Sequence, residues 1–583
     1  MPSVRRRTKA GMTCKLRPVP GRRVYNRGFR AQRDSPRVAE TACLFMSLPQ
    51  PETPLAPAAV DDRFFYRVVS ALDRPALATL LLTVWVLLGA WIRPLSLPDE
   101  GRYVGVAWEM VRSGDWLTPT LNGLPYFHKP PLFYWLTAIS IKCFGTVDLG
   151  MRLASMLAAA LMAFAGMRLL ARWHSATMAR WYLLILATLP YFYLGSQFAN
   201  HDMLVAAFIS SAVMFAADAM LSADHTQAWR RSMLLAWACI ALGLLSKGLI
   251  GIVLPAGVML LWIALQRRWS WLMKLLWWPG IILFAVIAAP WFVLMQLKFS
   301  QFFDYFFIHQ HFERFTATGF NNMNPWWFYP VVLALLCLPW SLLLPGQIKF
   351  TVGSETQQAL RRLQWSSVLV VVGFFSLPAS KLIGYVLPAI PAIAMLLADV
   401  VVTRMLPLPR LQLLPRGLAL ICLLSLIPLV WIFGREDVYS SKSLAATYRS
   451  AASPQDQVLS MGLYRFDFPI YAQLRTPLPV VLDWDDPAIK QTDSWPRELA
   501  DAAEFDPAAG ERVLIKPADL PTLLCAKEVS WIIAPLGNND PLLASAEIVR
   551  NTTLFKLMRF DRERSNLPCR GEVSLGKLPE PVV

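Results

Sequence analysis

Charged residues are scarce in this chain, and their signs are unbalanced. Only 16% of its 583 residues are charged, whereas 55% are hydrophobic, and the remaining charges sum to +17. Such a composition lies outside the range of ordinary soluble globular domains. Most of the chain is therefore expected to be solvated by lipid, and its basic residues should mark the loops that face the cytoplasm.

Metal-binding cysteine motifs and internal repeats are also missing. The eight cysteines form no CxxC or Cys/His pattern, and four of them lie inside apolar runs, where a thiol is a small hydrophobic group. Cys525 and Cys569 lie in a polar region, and they could form a disulfide if that region is periplasmic. Because no repeat is evident, a solenoid and an inverted-repeat transporter lose support.

The first 45 residues lack the apolar stretch of a cleavable signal peptide. They are rich in arginine and proline and too polar to pack, which is typical of a disordered segment. We interpret residues 1–75 as a cytoplasmic tail. Met46 is an alternative start, in which case residues 1–45 are not translated.

Apolar runs long enough to cross or nearly cross a bilayer fill the region that follows. They lie at 76–92, 151–170, 181–198, 203–221, 233–246, 249–265, 276–296, 327–345, 366–378, 383–401 and 417–434. The basic loops between them can all be cytoplasmic only if the apolar stretch 132–147 stays in the outer leaflet. We therefore predict an all-α membrane module over residues 76–434 with 11 to 13 spans.

Residues 435–583 change character and predict a small soluble α/β domain on the outer side of the membrane. Short apolar runs alternate there with helical stretches rich in Asp, Glu and Ala. The predicted strands are Gln457–Met461, Val480–Leu482, Val513–Ile515 and Trp531–Ile533. On this topology the outer side also holds the loops at 93–131, 199–202, 297–326 and 379–382 and the junction near Lys247.

An acidic pair, Asp99 and Glu100, follows the first span directly, at the depth where a carboxylate could meet a substrate whose tail stays in lipid. The plain alternative is a solvated loop start. Four motifs crowd this outer loop, namely D-E-G-R-Y at 99–103, G-D-W at 114–116, L-N-G at 121–123 and Y-F-H-K-P-P at 126–131.

These motifs resemble the first periplasmic loop of the lipid A aminoarabinose transferases and their relatives among protein-mannosyltransferase-like bacterial glycosyltransferases. The resemblance continues in order along the chain to about residue 434. It includes N-H-D at 200–202, S-K-G at 246–248, the aromatic segment 306–315, and S-K at 380–381 with Y-V-L-P at 385–388. It implies the glycosyltransferase C fold, with a C-terminal domain that matches by position only.

The resemblance implies transfer of a sugar from undecaprenyl phosphate, and the residue types suit this chemistry. Breaking the bond to the anomeric carbon leaves a phosphate with extra negative charge, which positioned cations stabilise. The cations on the outer face are Arg102, Lys129, Lys247, Arg314 and Lys381. Any one of them alone could instead anchor the chain at the membrane interface. We expect Lys129 and Arg314 to hold the phosphate, with the other three in support.

Asp99 and Asp202 are the candidate catalytic acids, and Glu100 is grouped with them. The resemblance assigns Asp99 the essential role, as a base toward an acceptor hydroxyl or as an orienting group for an anionic phosphate acceptor. The alternative for each aspartate is a helix cap. Tyr126 and Tyr385 lie inside motifs and are secondary candidates for donating to the phosphate, although aromatic residues of this kind also belong to the interfacial belt.

One departure from the family pattern is His128, which stands where the aminoarabinose transferases usually have a glutamate. His128 and His309 could help to hold a divalent metal, or they could hydrogen-bond to phosphate. The change also weakens any inference about which sugar or acceptor is used. Lipid A phosphate and an amino sugar such as 4-amino-4-deoxy-L-arabinose are the expected pair, with a protein or polysaccharide acceptor as the alternative and a lipid-linked sugar transporter less favoured.

Overall fold

A computed structural model describes residues 74–313, 322–347, 353–432, 440–492 and 494–565, together with Leu567 and Cys569. The predicted tail up to residue 73, including the alternative start at Met46, lies outside the described residues. So does Arg314, one of the two cations expected to hold the phosphate. All the described residues belong to one compact unit.

The part of the chain predicted to lie in the membrane is helical. Its α-helices are α1 Pro75–Leu87, α2 Asp99–Ser113, α3 Leu132–Phe144, α4 Asp148–Trp173, α5 Ala176–Thr188, α6 Pro190–Ser196, α7 His201–Leu221, α8 Gln227–Lys247, α9 Ile250–Gln266, α10 Ser270–Leu275, α11 Trp278–Lys298, α12 Phe328–Leu336, α13 Glu355–Ser376, α14 Ile390–Val400 and α15 Leu413–Ile432. Shorter turns of 3₁₀ or π type lie at Asp304–Glu313, Trp340–Gln347, Ile383–Ala389, Val401–Met405 and Pro409–Leu411.

Within the described ranges, six helices are long and apolar enough to cross a membrane, or seven if one bent pair counts as a single span. Three shorter apolar helices, α1, α3 and α9, are also present, and the total of 11 to 13 spans stays an expectation. The run predicted at 181–198 divides at Pro190 into α5 and α6, and the run at 327–345 is bent by 117° between α12 and Trp340–Gln347. Hydropathy identifies apolar stretches, but it does not predict where a helix bends or ends inside such a stretch.

The charge pattern predicts that the stretch at 132–147 stays in one leaflet. It forms α3, which has 13 residues and is therefore about 20 Å long, well short of the roughly 30 Å apolar core of a bilayer. Ile139 and Phe144 on this helix expose more than half of their surface. A short apolar helix of this kind is compatible with a position in one leaflet.

A buried ion cluster ties α4 to α7 and α8 at the end of α7 that is remote from His201. Asp218 is buried and accepts hydrogen bonds from Arg168 at 2.7 Å, from Arg172 at 3.0 Å and from the hydroxyl of Ser232 at 2.5 Å. A carboxylate with this many donors fixes the register of the three helices, because removing one partner would leave a charge buried and unpaired.

The C-terminal region is an α/β domain, as predicted. Its helices are α16 Lys442–Ala451, α17 Phe468–Tyr471, α18 Ala488–Gln491, α19 Trp495–Ala503, α20 Pro507–Val513 and α21 Leu520–Cys525. Two strands in the first outer loop are β1 Thr120–Leu121 and β2 Leu124–Pro125, and those of the domain are β3 Gln457–Met461, β4 Val480–Val481, β5 Leu514–Ile515, β6 Val529–Pro535, β7 Glu547–Asn551 and β8 Phe555–Asp561.

The six strands β3 to β8 form one sheet in the order β5-β4-β3-β6-β8-β7. Strands β3 to β6 pair in parallel, whereas β8 is antiparallel to both β6 and β7. Alternate residues of β6 pack on opposite faces: Trp531 and Ile533 join the main hydrophobic core, and Ile532 and Ala534 join a smaller core on the other face. The sequence analysis identified β3 to β6 and missed β7 and β8.

Cys525, at the end of α21, forms a disulfide with Cys569, and their Cα atoms are 5.6 Å apart. The pairing considered from the sequence is therefore present. The two cysteines are 44 positions apart, and the loop that the bond closes includes β6, β7 and β8.

The domain docks on the first outer loop through buried hydrogen bonds. The Asn122 side chain donates to the Leu478 carbonyl at 2.8 Å and accepts from the Leu478 amide at 2.7 Å. Asn122 and Gly123 both have positive φ and form the two-residue turn between β1 and β2, which is the backbone that an Asn-Gly pair favours. The L-N-G motif is therefore a structural contact between the loop and the domain.

Asn122→Ala is expected to destabilise the docked domain by about 3 kcal/mol, because it removes two buried hydrogen bonds and places alanine at a positive φ. Thermal unfolding of the detergent-solubilised protein should show the loss. Asn539→Ala, at an exposed position of the same domain, is the control and should leave the unfolding temperature unchanged. Equal unfolding temperatures for the two variants would contradict the proposed docking contact.

Candidate functional site

Asp99 begins helix α2, and its carboxylate points into solvent. The helix has two acidic residues in its first turn, which suits the positive end of the helix dipole, and it ends at Gly114 in the left-handed conformation. The Asp99 side chain is 54% exposed and pairs with Arg102 one turn later. Asp99 is therefore an accessible carboxylate whose direction is set by a neighbouring guanidinium.

Glu100 is in the opposite situation. Its side chain is fully buried between two arginines: Arg93 bonds to it at 2.5 Å, and Arg152 at 2.8 and 2.9 Å. The amides of Ser96 and Ala199 donate to the same carboxylate, each at 2.8 Å. Although burial alone would raise the pKa of Glu100, the two guanidinium groups lower it to about 2. The catalytic role expected for Glu100 is therefore corrected to a structural one, since its oxygens are occupied and sealed from solvent.

Asp202 lies in the first turn of α7, where the Asn200 side chain caps the helix by accepting from the Asp202 amide at 3.1 Å. The cap is thus Asn200, and the Asp202 carboxylate remains available to pair with Lys247 at the end of α8. The Lys247 ammonium also lies 4.6 Å from the centre of the Tyr385 ring. A Cβ atom on Gly384 would lie 2.1 Å from an Asp202 oxygen, so only glycine leaves room for the carboxylate there.

Tyr103 connects the two aspartates. Burial raises the pKa of its phenol, and the positive charge of Arg102 opposes this shift. The charges of Asp99, Asp202 and Glu498 each raise it further, so the pKa of this half-buried phenol responds to all three carboxylates. The Tyr103 ring lies 4.5 Å from the ring of His201, the residue before Asp202, so α2 and α7 meet at the ends that carry the two acids.

Glu498 comes from α19 of the C-terminal domain and was not expected from the sequence. It is buried, it pairs with Arg102, and it accepts a hydrogen bond from the Tyr126 hydroxyl at 3.2 Å. Burial alone would lower the pKa of Arg102, but the Glu498 carboxylate raises it well above the usual range. Nothing in the local sequence distinguishes Glu498 from other acids in its helix.

Lys129 lies in the short turn that enters α3, where Pro131 stands just before the helix. Its ammonium donates to the carbonyl of His128 at 3.0 Å. The His128 ring stacks on Tyr126, with ring centres 4.5 Å apart and planes 11° from parallel. Because Tyr126 is bonded to Glu498, the turn that carries Lys129 is held against the C-terminal domain.

The Lys381 ammonium is hydrogen-bonded to backbone carbonyls. Its ammonium donates to the carbonyls of Asn324 at 2.7 Å, of Pro378 at 2.5 Å and of Ala379 at 3.4 Å, and the residue is buried. Burial lowers the pKa of this ammonium. Its three donors tie two loops together, so the phosphate-binding role expected for Lys381 is not favoured by its contacts.

The two histidines considered for a metal both pack against Tyr305. The ring centre of His128 is 5.9 Å from that of Tyr305, and the ring centre of His309 is 5.6 Å from it. Asp501 of α19 interacts electrostatically with His309. Among the described residues no group of three or more His, Cys, Asp or Glu side chains could hold a metal ion. The geometry thus gives the metal hypothesis no support.

Residues 98–306 match the family model described as dolichyl-phosphate-mannose-protein mannosyltransferase. The chain is 32% identical over 369 residues to an undecaprenyl phosphate-alpha-4-amino-4-deoxy-L-arabinose arabinosyl transferase of Pseudomonas aeruginosa, a match that covers 61% of this chain and 64% of the relative. A relative of the same name from Aeromonas hydrophila is 33% identical over 314 residues, covering 52% of this chain and 56% of the relative. The chain thus spans a little under two thirds of the length of the curated relatives it matches.

Two solved structures show the fold of the chain by similarity. The crystal structure of ArnT from Cupriavidus metallidurans bound to undecaprenyl phosphate superposes with a TM-score of 0.69 and 23% identity, covering 86% of this chain and 98% of that one. The apo structure of the same protein gives the same score. The predicted fold class, a polytopic helical module of glycosyltransferase C type with a C-terminal α/β domain, is confirmed.

Glu100→Gln is expected to destabilise the protein by about 3–5 kcal/mol, because the two buried arginines would lose their counter-charge. Asp99→Asn, at the adjacent exposed position, should change stability by less than about 0.5 kcal/mol. Thermal unfolding in detergent compares the two variants directly. If both unfold at the same temperature as the wild type, Glu100 has no structural role.

The pH dependence of this difference has a defined sign. The pKa of Glu100 falls from an ordinary 4.5 to about 2 on folding, so its contribution is complete above pH 4.5 and is lost as the pH falls toward 2. The gap between the wild type and Glu100→Gln should stay constant from pH 8 to pH 5 and shrink below pH 4.5.

Proposed function

We propose that this chain, a lipid A aminoarabinose transferase-like protein with the glycosyltransferase C fold, transfers a sugar from undecaprenyl phosphate to an acceptor in the cell envelope. The sugar is 4-amino-4-deoxy-L-arabinose or a related amino sugar, and the acceptor is a lipid A phosphate or a related group. The names of the relatives and the undecaprenyl phosphate bound to the Cupriavidus protein support the choice of donor.

The observation that carries this proposal is the meeting of acids and cations around Tyr103. Asp99 with Arg102 and Asp202 with Lys247 approach it from different helices, and all these residues lie in motifs of the family. A polyprenyl-phosphate sugar needs cations at its phosphate and a carboxylate near the anomeric carbon. Because the leaving phosphate gains negative charge as the sugar departs, cations at this position stabilise the transition state more than the ground state.

In this proposal Asp99 faces the acceptor. Its exposed carboxylate, held by Arg102, can accept a proton from a hydroxyl acceptor or balance positive charge on the departing sugar. A phosphate acceptor is already anionic and needs no base. Asp202 has a positioning role in this proposal, because its ion pair with Lys247 orients that ammonium toward the carrier phosphate.

Lys129 is the cation we assign most directly to the carrier phosphate, with Arg314 as its expected partner. The turn before α3 holds the Lys129 ammonium where an apolar helix begins, which suits a phosphate whose lipid tail lies in the membrane. The His128 ring beside it can donate to a phosphate oxygen. Tyr126 and Tyr385 act through the ion pairs they contact, those of Glu498 and Lys247.

We further propose that the protein resides in the bacterial inner membrane and that its site faces the periplasm. The disulfide between Cys525 and Cys569 supports an oxidising compartment for the C-terminal domain. The excess of basic residues in the opposite loops supports the same orientation.

The reaction is tested with purified protein in detergent and a synthetic polyprenyl-phosphate sugar. Asp99→Asn should lower the transfer rate by at least about 10²-fold, and Lys129→Ala by a similar factor, because each removes a charge used in the transition state. Lys129→Arg should recover only part of the rate, since the guanidinium is longer and differently shaped. Lys490→Ala, a highly exposed lysine of the C-terminal domain, is the control and should transfer normally.

Retention of a tenth of the wild-type rate by Asp99→Asn would reduce Asp99 to a helix-terminal residue. The acceptor is identified by mass spectrometry of lipid A from a strain that lacks this protein. Loss of an amino-sugar adduct is the expected result, and unchanged lipid A would point to a protein or polysaccharide acceptor.

The orientation is tested by fusing alkaline phosphatase, which is active only in the periplasm, to two positions. A fusion after Val583 should be active, and a fusion after Arg410 should be inactive. The reverse pattern would invert the topology and remove the basis for the site.

A further inference from the structure

The segment that leads into α2 is held from two sides. From α4, the Arg152 guanidinium donates to the carbonyl of Pro94 at 2.7 Å. From the C-terminal domain, the hydroxyl of Tyr471 accepts a hydrogen bond from the backbone amide of Leu95 at 2.7 Å. Leu95 lies four residues before Asp99, so the contact with the domain acts on the stretch of chain that carries the proposed catalytic carboxylate.

Tyr471 is the last residue of α17, and its side chain is buried. Its hydroxyl donates to one carboxylate oxygen of Asp148, in the first turn of α4, at 2.5 Å. The other oxygen of Asp148 accepts from the Lys442 ammonium of the C-terminal domain at 2.6 Å. One hydroxyl therefore joins the domain both to the segment before α2 and to the start of α4.

The two contacts of the Tyr471 hydroxyl depend on each other. A phenol has one hydrogen to donate, and the Asp148 carboxylate, which accepts it, sets the direction of the O–H bond. The lone pairs of the oxygen are then left for the Leu95 amide. A hydrogen bond to a carboxylate is stronger than one between neutral groups, so Asp148 orients the hydroxyl and the hydroxyl holds the amide.

Helix α2 also packs closely on the turn before α17. A Cβ atom at Gly101 would lie 2.9 Å from the backbone nitrogen of Asp467 and 3.1 Å from Cβ of Phe466. This part of the C-terminal domain thus contacts the chain on both sides of Asp99, at Leu95 and at Gly101. Because the Asp99 side chain is 54% exposed, its position depends chiefly on the backbone that carries it.

We propose that Tyr471 is a positioning residue for the transfer reaction, which fixes the backbone at Asp99 through its hydrogen bond to the Leu95 amide. It acts through Asp99, although it lies 376 positions from Leu95 in the sequence. The inference rests on the proposed function and adds to it a hydroxyl of the C-terminal domain. Displacements of about 1 Å at reacting groups can lower a rate strongly, so loss of this hydroxyl should slow the bound substrate more than it weakens binding.

Steady-state kinetics with a synthetic polyprenyl-phosphate sugar test this role. Tyr471→Phe keeps the ring and removes the hydroxyl, and it should lower kcat about 10-fold. The KM for the donor should change by less than about 2-fold, because Lys129 and the other cations assigned to the phosphate are untouched. Tyr448→Phe is the matched control, since Tyr448 is a half-buried tyrosine on α16 of the same domain, and it should transfer normally. A raised KM with an unchanged kcat would contradict the positioning role.

Asp148→Asn is a second variant of the same contact. Its amide oxygen can still accept from the Tyr471 hydroxyl, but a neutral acceptor forms a weaker bond, so kcat should fall by about 2- to 5-fold. A kcat equal to that of the wild type would show that the carboxylate does not orient the hydroxyl.

Double variants distinguish positioning of Asp99 from a general loss of structure. If Tyr471 acts through Asp99, adding Tyr471→Phe should change the residual rate of Asp99→Asn by less than about 2-fold. The same addition should lower the residual rate of Lys129→Ala by the full factor of about 10. Equal losses in the two backgrounds would reduce Tyr471 to a residue that supports the fold, and would overturn the proposal.

Hydrogen exchange measures the contact with Leu95 without any activity. In the full chain in detergent, a peptide that covers residues 93–99 should exchange its amide hydrogens at least about 10-fold faster in Tyr471→Phe than in the wild type. Tyr448→Phe should leave this peptide unchanged. Equal exchange in Tyr471→Phe and the wild type would show that the hydroxyl does not hold this segment.

The outcomes separate this inference from the proposed function. A wild-type protein that transfers no sugar from the polyprenyl-phosphate donor would overturn the proposed function and the role of Tyr471 with it. A wild-type protein that transfers the sugar, together with a Tyr471→Phe variant that has the same kcat, would overturn only the role of Tyr471.

Discussion

One buried carboxylate, that of Glu100, fixes how the start of α2 meets the start of α7. It binds the guanidinium groups of Arg93 and Arg152 and accepts from the amide of Ala199, two residues before α7 begins. Glu100 thereby links the start of α2, where Asp99 stands, to the start of α7. A charge buried this completely is stable only when every partner is in place, so the cluster holds two chain segments in one arrangement.

The C-terminal domain completes the site instead of lying beside it. Glu498 of α19 pairs with Arg102 of α2. Asn122, in the turn between β1 and β2, is hydrogen-bonded to Leu478 of the domain. Gly101 shows how close the two parts are, because a Cβ atom there would lie 2.9 Å from the backbone nitrogen of Asp467. Gly101, in the middle of the acidic motif, is therefore required by close packing against a segment more than 350 positions away in the sequence. The conformation of the motif depends on the docked C-terminal domain.

Much of the fold could be predicted from the sequence because hydropathy and strand patterns are local. The run at Gln457–Met461 matches β3 residue for residue, whereas β7 was missed because its side chains are largely exposed and lack an apolar pattern. The site was only partly predictable. Asp99 and Asp202 could be identified because they lie in motifs. The arginine partners of Glu100 and the position of Glu498 depend on contacts between residues far apart in the chain, which the spacing of residues in the sequence does not predict.

Two cations of the site, Arg102 and Lys247, are paired with carboxylates of the protein itself. Arg102 is shared between Asp99 and Glu498, and Lys247 is paired with Asp202. Under the proposed reaction, a carrier phosphate must compete with these carboxylates for the cations, so part of the attraction is offset in the ground state. As the sugar leaves, the phosphate gains charge and competes more strongly, which directs the interaction toward the transition state.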